Sequence, residues 1–163
     1  MHGFDDQGKQ FDENGNWNNW WTEKDAANYA VKVYGIVNQF DQFQVYGRNV
    51  SGALTSGENI ADLGGLVSSY YSMVEWLREI GCDQKSDLNG LTARQTFFVS
   101  FARLWRRKIT EKAAIRLLTV DPHSPNTFRV NGPLSNMPEW YEAFGIEDWH
   151  KMWTPENERV EIF

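Results

Sequence analysis

The chain has 163 residues, a formal net charge of −6 at pH 7 and a pI near 5.1. This acidic balance argues against nucleic acid as a partner, because such a protein needs clustered Lys and Arg. The length suits a single domain over residues 1–163, no apolar run approaches the ~20 residues of a membrane span, and the one cysteine, Cys82, excludes an internal disulfide.

The first predicted helix follows a polar segment that is rich in turn-forming residues. Residues 5–19 include the run DENGN, which predicts an extended loop. Thr22 followed by Asp25 is typical of a helix cap. Apolar side chains then recur at helical spacing over residues 26–40, so a helix with one apolar face is expected there.

A hairpin and a long helix are predicted next. Residues 45–54 alternate Gly and Asn with apolar residues, which predicts a short extended or hairpin-like stretch. From Gly57 the apolar spacing predicts a long buried helix that ends at Gly81. Gly64 and Gly65 would each cost this helix ~1 kcal/mol relative to Ala, so another backbone is expected to approach closely there.

Two further helices are predicted in the segment that follows. Thr92 begins one that runs through Trp105, and Thr110 precedes another over residues 113–118. The basic run 103–108 is flanked by Phe side chains. It is typical of the solvated face of an amphipathic helix rather than of a nucleic-acid site.

The last part of the chain is predicted as a loop and one short helix. Residues 121–134 contain three Pro and a Gly, which is loop composition. Pro138 fits the first turn of a helix that Gly145 ends. The pattern as a whole predicts one mainly α domain with few short extended segments.

Three short blocks are rich in His and carboxylate residues, which can bind a metal. They are HGFDD at residues 2–6, GENIADLGG at 57–65 and DPHSPNTFR at 121–129. In a helix, Glu58 and Asp62 lie four residues apart on one face. One carboxylate can therefore bind a metal while the other orients a neighbouring ligand.

These blocks, in this order and with this spacing, resemble the neprilysin-like zinc metallopeptidases. The resemblance runs almost end to end, to a closing NERVEIF in which Phe163 stands where the family usually has Trp. It implies the C-terminal part of a thermolysin-like (gluzincin) catalytic domain with one zinc ion. In that family H-E-x-x-H runs directly into Gly-Phe-Asp-Asp. The first His and the Glu would precede Met1, so we expect a C-terminal fragment.

The resemblance implies two zinc ligands in this chain. His2 corresponds to the second ligand and Glu58 to the third, and neutral imidazole is a good zinc ligand. Read alone, Glu58 has another explanation, because Thr55 and Glu58 fit an S/T-x-x-E capping box at the start of a helix.

The resemblance implies that other carboxylates orient the metal ligands and the catalytic groups through hydrogen bonds. Asp62 is expected to fix a zinc-binding His through its other ring nitrogen, and Asp121 to orient His123 in catalysis. Asp5 and Asp6 fit either turn formation or a role behind the metal ligands, and the sequence leaves that choice open.

Two residues of the third block are implied to contact substrate. His123 would donate a hydrogen bond to the oxyanion of the tetrahedral intermediate, although a His in a Pro-bounded loop by default bonds to backbone. Arg129 would contact a peptide carbonyl of the substrate, although a surface ion pair is the simpler explanation for an Arg.

The implied function is a zinc-dependent metalloendopeptidase that hydrolyses short peptides. Its partners would be the peptide substrate and the missing N-terminal part of the same enzyme. Without the catalytic Glu and one ligand, the isolated chain is expected to be inactive and need not hold zinc. The alternative is a non-catalytic helical binding module derived from the same scaffold.

Two weaker expectations concern association and compartment. The eight Trp, ten Phe and six Tyr residues favour an exposed apolar surface that would support a homo-oligomer. The lack of a cysteine framework favours a bacterial-type, cytoplasmic enzyme.

Overall fold

The structure, a computed structural model, describes residues 2–5, 7–82 and 90–162. The described part is mainly helical with one two-stranded ribbon, as the sequence predicts. Its elements are α1 (Glu23–Asp41), β1 (Gln44–Val45), β2 (Arg48–Asn49), α2 (Gly52–Glu79), α3 (Ala93–Leu104), α4 (Glu111–Val120), α5 (Asn126–Leu134), α6 (Pro138–Phe144) and 3-10 turns at His2–Phe4, Gly8–Gln10 and Glu156–Glu158.

The N-terminal segment is fastened to α1. Residues 7–19 form the predicted loop apart from the 3-10 turn at Gly8–Gln10, and an antiparallel bridge joins Phe11 and Trp17. The hydroxyl of Tyr29, on α1, donates to the Phe4 carbonyl oxygen over 2.6 Å. This bond holds the turn that contains the first motif block against the helical body.

The long helix begins earlier than predicted. It starts at Gly52 rather than Gly57, because Ser51 supplies the cap and its hydroxyl accepts from the Leu54 N–H at 3.2 Å. The capping-box explanation of Glu58 is therefore wrong, since Glu58 lies in the second turn of α2. Its side chain is free for another role.

Close backbone packing joins α1 and α2 at Gly52. A Cβ at this position would overlap the Val37 carbonyl of α1. The Gly52 N–H also donates to a carboxylate oxygen of Asp41 over 2.7 Å. The close approach expected at Gly64 and Gly65 stays a prediction.

The predicted hairpin is present but does not extend to residue 54, because residues 52–54 belong to α2. β1 and β2 pair antiparallel, with Gln44 opposite Asn49 and Val45 opposite Arg48. The two-residue turn between them has φ of 50° at Tyr46 and 71° at Gly47. Positive φ at both central residues is the geometry that a tight two-residue hairpin requires.

One predicted loop is partly helical. Residues 121–134 were expected to be irregular, yet α5 occupies their second half and keeps Pro133 in its last turn. Pro133 has no N–H to donate to the carbonyl oxygen four residues before it, so tertiary packing must offset that loss. Gly132 packs against the Phe40 ring so closely that a Cβ would overlap it. We infer that packing against α1 makes this segment helical despite its loop-like composition.

The remaining predicted helices are confirmed, and the core lies between them. Thr92 begins α3 with a capping box to Gln95, and Gly145 ends α6 with φ 59°. No helix in the described ranges is long and apolar enough to cross a membrane. The buried core residues are Tyr29, Ile36, Phe40, Ile60, Leu63, Leu66, Tyr70, Val74, Phe98, Leu134, Met137, Trp140, Tyr141 and Ile162.

The end of the described chain returns to α1. Val160 packs on Gly35, and the Lys32 ammonium donates to the Ile162 carbonyl oxygen over 3.2 Å. Ile162 is 5% exposed. The first and last described segments thus both rest on α1.

Candidate functional site

Four segments bring the predicted site residues together. The N-terminal turn supplies His2, α2 supplies Glu58 and Asp62, the loop after α4 supplies His123, and α5 supplies Arg129. These residues are up to 127 positions apart in sequence, yet they form one continuous set of contacts.

Glu58 lies at the centre of this set. One of its carboxylate oxygens is 3.5 Å from His2 Nε2. The other is 3.2 Å from His123 Nε2 and 3.3 Å from Nη2 of Arg129. The Glu58 side chain is 20% exposed, so three basic groups meet one carboxylate at a partly desolvated position.

Asp5 both forms a turn and orients His2. One carboxylate oxygen accepts from the backbone N–H groups of Gln7 and Gly8, each over 2.9 Å. The other lies 2.8 Å from His2 Nδ1. Asp5 thus forms a turn and contacts His2 with one buried carboxylate, while its role behind a metal ligand stays a prediction. The corresponding prediction for Asp6 lies outside the described residues.

Asp121 fixes the ring of His123. One carboxylate oxygen lies 2.7 Å from His123 Nδ1 and accepts from the His123 N–H over 2.9 Å. Burial by itself would raise the pKa of Asp121, but the hydrogen bonds from His123 outweigh it, and the pKa is lowered. The ionised carboxylate can only accept, so Nδ1 of His123 carries the proton in this contact.

Arg129 makes a two-pronged pair with Asp62. Its Nε and Nη2 atoms donate to the two carboxylate oxygens over 2.6 and 2.7 Å, and both side chains are about nine-tenths buried. Burial raises the pKa of Asp62 despite the opposing hydrogen bonds from Arg129. This depth excludes the simple surface ion pair for Arg129. The orientation of a zinc-binding His by Asp62 stays a prediction.

Sequence reasoning missed the role of Trp105 in this site. The Arg129 guanidinium lies over the Trp105 ring, 3.9 Å from its centroid. Such stacking stabilises a cation where water is excluded. The apolar spacing of α3 assigned Trp105 to a helix face. Nothing in the local sequence pointed to Arg129, which lies 24 positions further along the chain.

A buried polar chain ties the loop of His123 to α2, and it too was missed. The Ser124 hydroxyl donates to Asn59 Oδ1 over 2.7 Å, and Asn59 Nδ2 donates to Thr55 Oγ1 over 2.9 Å. Asn59 and Ser124 are 1% and 2% exposed. Each follows a predicted site residue, Glu58 or His123. The bond therefore sets the spacing between those two.

The donor geometry fits part of a zinc site. The Nε2 atom of His2 and the nearer oxygen of Glu58 are 3.5 Å apart. Two ligands at ~2.0–2.1 Å from a tetrahedral ion would be separated by about 3.3 Å. Because Asp5 accepts at Nδ1, the other ring nitrogen of His2 is left for a metal. Within the described ranges no cluster of three His, Cys, Asp or Glu side chains forms a complete metal site.

A groove of about 650 Å³ opens beside this cluster. His123, Asp121 and Arg129 lie along it, together with Trp105. The rest of its wall is more apolar than polar and comes from β1 and its turn, the end of α3, residues 107 and 109, α4, and residues 124–128 at the start of α5. A peptide side chain placed in the groove would lie next to the polar cluster.

Comparison with protein-family models gives one match over nearly the whole chain, to "Peptidase family M13" over residues 1–160. Mouse endothelin-converting enzyme 1 is 40% identical over 143 residues, which are 88% of this chain and 19% of that protein. Neprilysin-3 of Drosophila melanogaster is 40% identical over 153 residues, 93% of this chain and 19% of that protein. The chain thus spans about a fifth of the length of these relatives.

Solved structures agree with the sequence matches. The zinc metalloprotease 1 of Mycobacterium tuberculosis, in complex with an inhibitor, superposes with a TM-score of 0.93 at 36% identity. That match covers 99% of this chain and 25% of the other. PepO from Lactobacillus rhamnosis gives a TM-score of 0.83 at 33% identity, over 98% of this chain and 23% of that one.

Proposed function

The chain belongs to peptidase family M13, and from this membership we propose that it supplies part of the active site of a zinc-dependent metalloendopeptidase acting on short peptides. The observation that carries the proposal is the contact of Glu58 with His2, His123 and Arg129 in one cluster. Each of these residues comes from a different segment, and each matches a residue that the family motifs implied.

We assign zinc binding to His2 and Glu58. Asp5 keeps the proton of His2 on Nδ1, and Nε2 is then a neutral donor atom for the metal. When bound, zinc would polarise the scissile carbonyl and lower the pKa of its water towards ~7. The remaining ligand and the general base belong to the H-E-x-x-H motif, which this sequence does not contain.

His123 is assigned to the oxyanion. In this structure both ring nitrogens face carboxylates, Nδ1 towards Asp121 and Nε2 towards Glu58. An N–H at Nε2 would donate to a developing oxyanion once Glu58 turns to a metal.

Arg129 is assigned to the substrate and Asp62 to its positioning. Asp62 occupies Nε and Nη2 of Arg129. The guanidinium has five N–H donors in all, so those remaining can bind a peptide carbonyl. The Trp105 ring stacks on one face of the Arg129 guanidinium and Asp62 binds its edge, and together they fix the direction in which the remaining donors point.

Zinc titration tests the two assigned ligands. We expect weak binding by the isolated chain, and we expect His2→Ala and Glu58→Gln each to abolish it in calorimetry. His150→Ala is the matched control, because His150 is exposed and contacts Trp149 and Glu147 rather than the site. Equal binding by all three variants would place any metal elsewhere.

Cleavage assays test the dependence on the preceding part of the enzyme. We propose that the chain alone does not hydrolyse peptides, because the general base is not among its residues. An internally quenched peptide should stay intact with the chain and zinc. It should be cut when a segment with H-E-x-x is supplied in trans or in one polypeptide. Chelator-sensitive cleavage by the purified chain alone would overturn this.

A further inference from the structure

A strongly basic surface adjoins the groove although the whole chain is acidic. Residues 103–116 contain six cationic side chains and one acidic one, Glu111, in a chain of net charge −6. All six are exposed, and none has an ion pair or side-chain hydrogen bond within the part of the chain that the structure describes. We call this surface the basic rim; it consists of Arg103, Arg106, Arg107, Lys108, Lys112 and Arg116.

The basic rim meets the groove at Arg107, which lines it together with Leu104 and Ile109. Leu117 and Leu118 of α4 also line the groove, so its apolar part has a cation at the edge. A concave apolar site with a few charged groups at its edge is the usual form of a ligand pocket.

The other charges at the groove are already paired. Arg129 is bound to Asp62 through two hydrogen bonds, and Asp121 is bound by the ring and the backbone of His123. The charge of Arg107 also helps to lower the pKa of Asp121, but Arg107 forms no ion pair with it, so the charge left without an ion pair along the groove is positive. It would attract an anionic ligand and repel a cationic one.

We propose that this groove and the basic rim together select acidic peptides. An apolar side chain of the peptide enters the groove, and its Asp or Glu side chains lie against the basic rim beside Arg107. The inference rests on the proposed function, because it names the substrate class of that site. Binding can nevertheless be measured without zinc and without cleavage.

A peptide fits these observations better than a nucleic acid does. The groove wall is mainly apolar, whereas a nucleic-acid surface needs cations spread along a backbone path with stacking platforms. The acidic residues elsewhere outnumber the cations of the rim, so the chain as a whole has a net charge of −6. This negative charge disfavours binding of a long polyanion such as a nucleic acid. Binding of an Asp or Glu side chain of a peptide requires only the few cations of the basic rim.

The test compares two peptides that differ only in charge. Ac-Ala-Glu-Leu-Glu-Ala-amide and its Gln counterpart both lack a free carboxyl terminus, so only side-chain charge distinguishes them. Exposed ion pairs each contribute a modest factor, and two or three together should give about tenfold tighter binding of the Glu peptide at ~0.1 M salt. At ~1 M salt the preference should largely disappear.

Matched variants locate the effect. Arg107→Gln should reduce the preference several-fold, and Arg107→Lys should retain most of it. Lys24→Gln, an exposed cation on α1 outside the groove, should leave it unchanged. Circular dichroism of each variant establishes that the fold is kept.

Three results would overturn the inference. They are equal affinity for the Glu and Gln peptides, an equal loss of preference in Arg107→Gln and Lys24→Gln, and tighter binding of a short single-stranded oligonucleotide than of the Glu peptide. None of them bears on zinc binding by His2 and Glu58. Failure of this inference is thereby separable from failure of the proposed function.

Discussion

At the scale of single residues, Arg129 is a buried charge held by three partners. It meets Asp62 on one edge, Glu58 beyond it and the Trp105 ring on one face. A buried cation needs partners of this kind, because leaving it unpaired forfeits hydration without compensation. The same contacts that stabilise the fold also aim the guanidinium at the groove.

Asp62→Asn should therefore be costly. It removes one charge of a buried pair and leaves Arg129 with Glu58 and Trp105 only. Urea denaturation should show a loss of about 3 kcal/mol. Glu75→Gln is the control, since Glu75 pairs with Arg78 where both side chains are more than 60% exposed, and its loss should stay below ~1 kcal/mol. Similar losses in both variants would contradict the buried pair.

Tyr71 offers a pH-dependent contact away from the site. Its hydroxyl donates to the Glu139 carboxylate, and this bond, assisted by burial and by the negative charge, raises the pKa of Tyr71 from 10.0 to about 12. A raised pKa means that the bond contributes fully below pH 10 and is lost as the pH rises through about 12.

Ultraviolet titration of the tyrosines checks this expectation. One phenol of the folded protein should ionise near pH 12, and Glu139→Gln should return it towards 10. Glu23→Gln, on α1, should leave the titration unchanged. Identical curves for the protein and for Glu139→Gln would show that the Tyr71 contact does not form.

At the scale of elements, apolar spacing predicted where most helices lie, but caps and packing set their limits. The spacing from Gly57 correctly indicated α2, yet the helix begins five residues earlier, at Gly52, where Ser51 caps it. Nothing local distinguishes Ser51 from Thr55 as the cap. The choice depends on Asp41 and Val37 of α1, which hold Gly52 in place.

Packing also explains why the second half of residues 121–134 is helical although the sequence predicted a loop. Pro and Gly lower the helical propensity of α5, and propensity is all that the sequence displays there. The packing of Gly132 on Phe40 joins positions 92 residues apart, so no local window contains it. Motif resemblance assigned His123 and Arg129 to one site with Glu58, and the structure brings the three into contact, while their roles stay predictions. Trp105, Asn59 and Ser124 required three-dimensional contacts.

Gly52→Ala tests the packing of α1 on α2. Helix propensity alone would make Ala the better residue, but its Cβ would overlap the Val37 carbonyl. The backbones must separate, so a loss of about 1–3 kcal/mol is expected in thermal or urea unfolding. Ala53→Gly, at the exposed next position, should cost at most ~1 kcal/mol. A stabilised Gly52→Ala would refute the close contact.

At the scale of the whole molecule, the N-terminal segment presents aromatic rings to solvent. Trp17 is 75% exposed and Trp20 53%, and both lie near the half-exposed Phe4 and Phe11. Contiguous apolar surface of this kind marks an interaction site more often than an ordinary surface. Since the chain spans about a fifth of its relatives, we propose that the rest of such an enzyme covers this face.

The isolated chain should associate through the same rings. Sedimentation at increasing concentration is expected to show dimers or larger species. Trp17→Ser combined with Trp20→Ser should shift the distribution towards monomer. Trp149→Ser is the control, because Trp149 is 71% exposed but belongs to the segment after α6. A concentration-independent monomer would contradict the expectation.

The buried bond between Ser124 and Asn59 has an evolutionary consequence. Replacing either residue alone by an apolar one leaves a polar atom in the core without a partner, whereas replacing both together can be nearly neutral. Positions 59 and 124 should therefore mutate as a pair rather than singly among descendants of a common ancestor. The two motif blocks would then be linked in inheritance by a contact that takes no part in the chemistry.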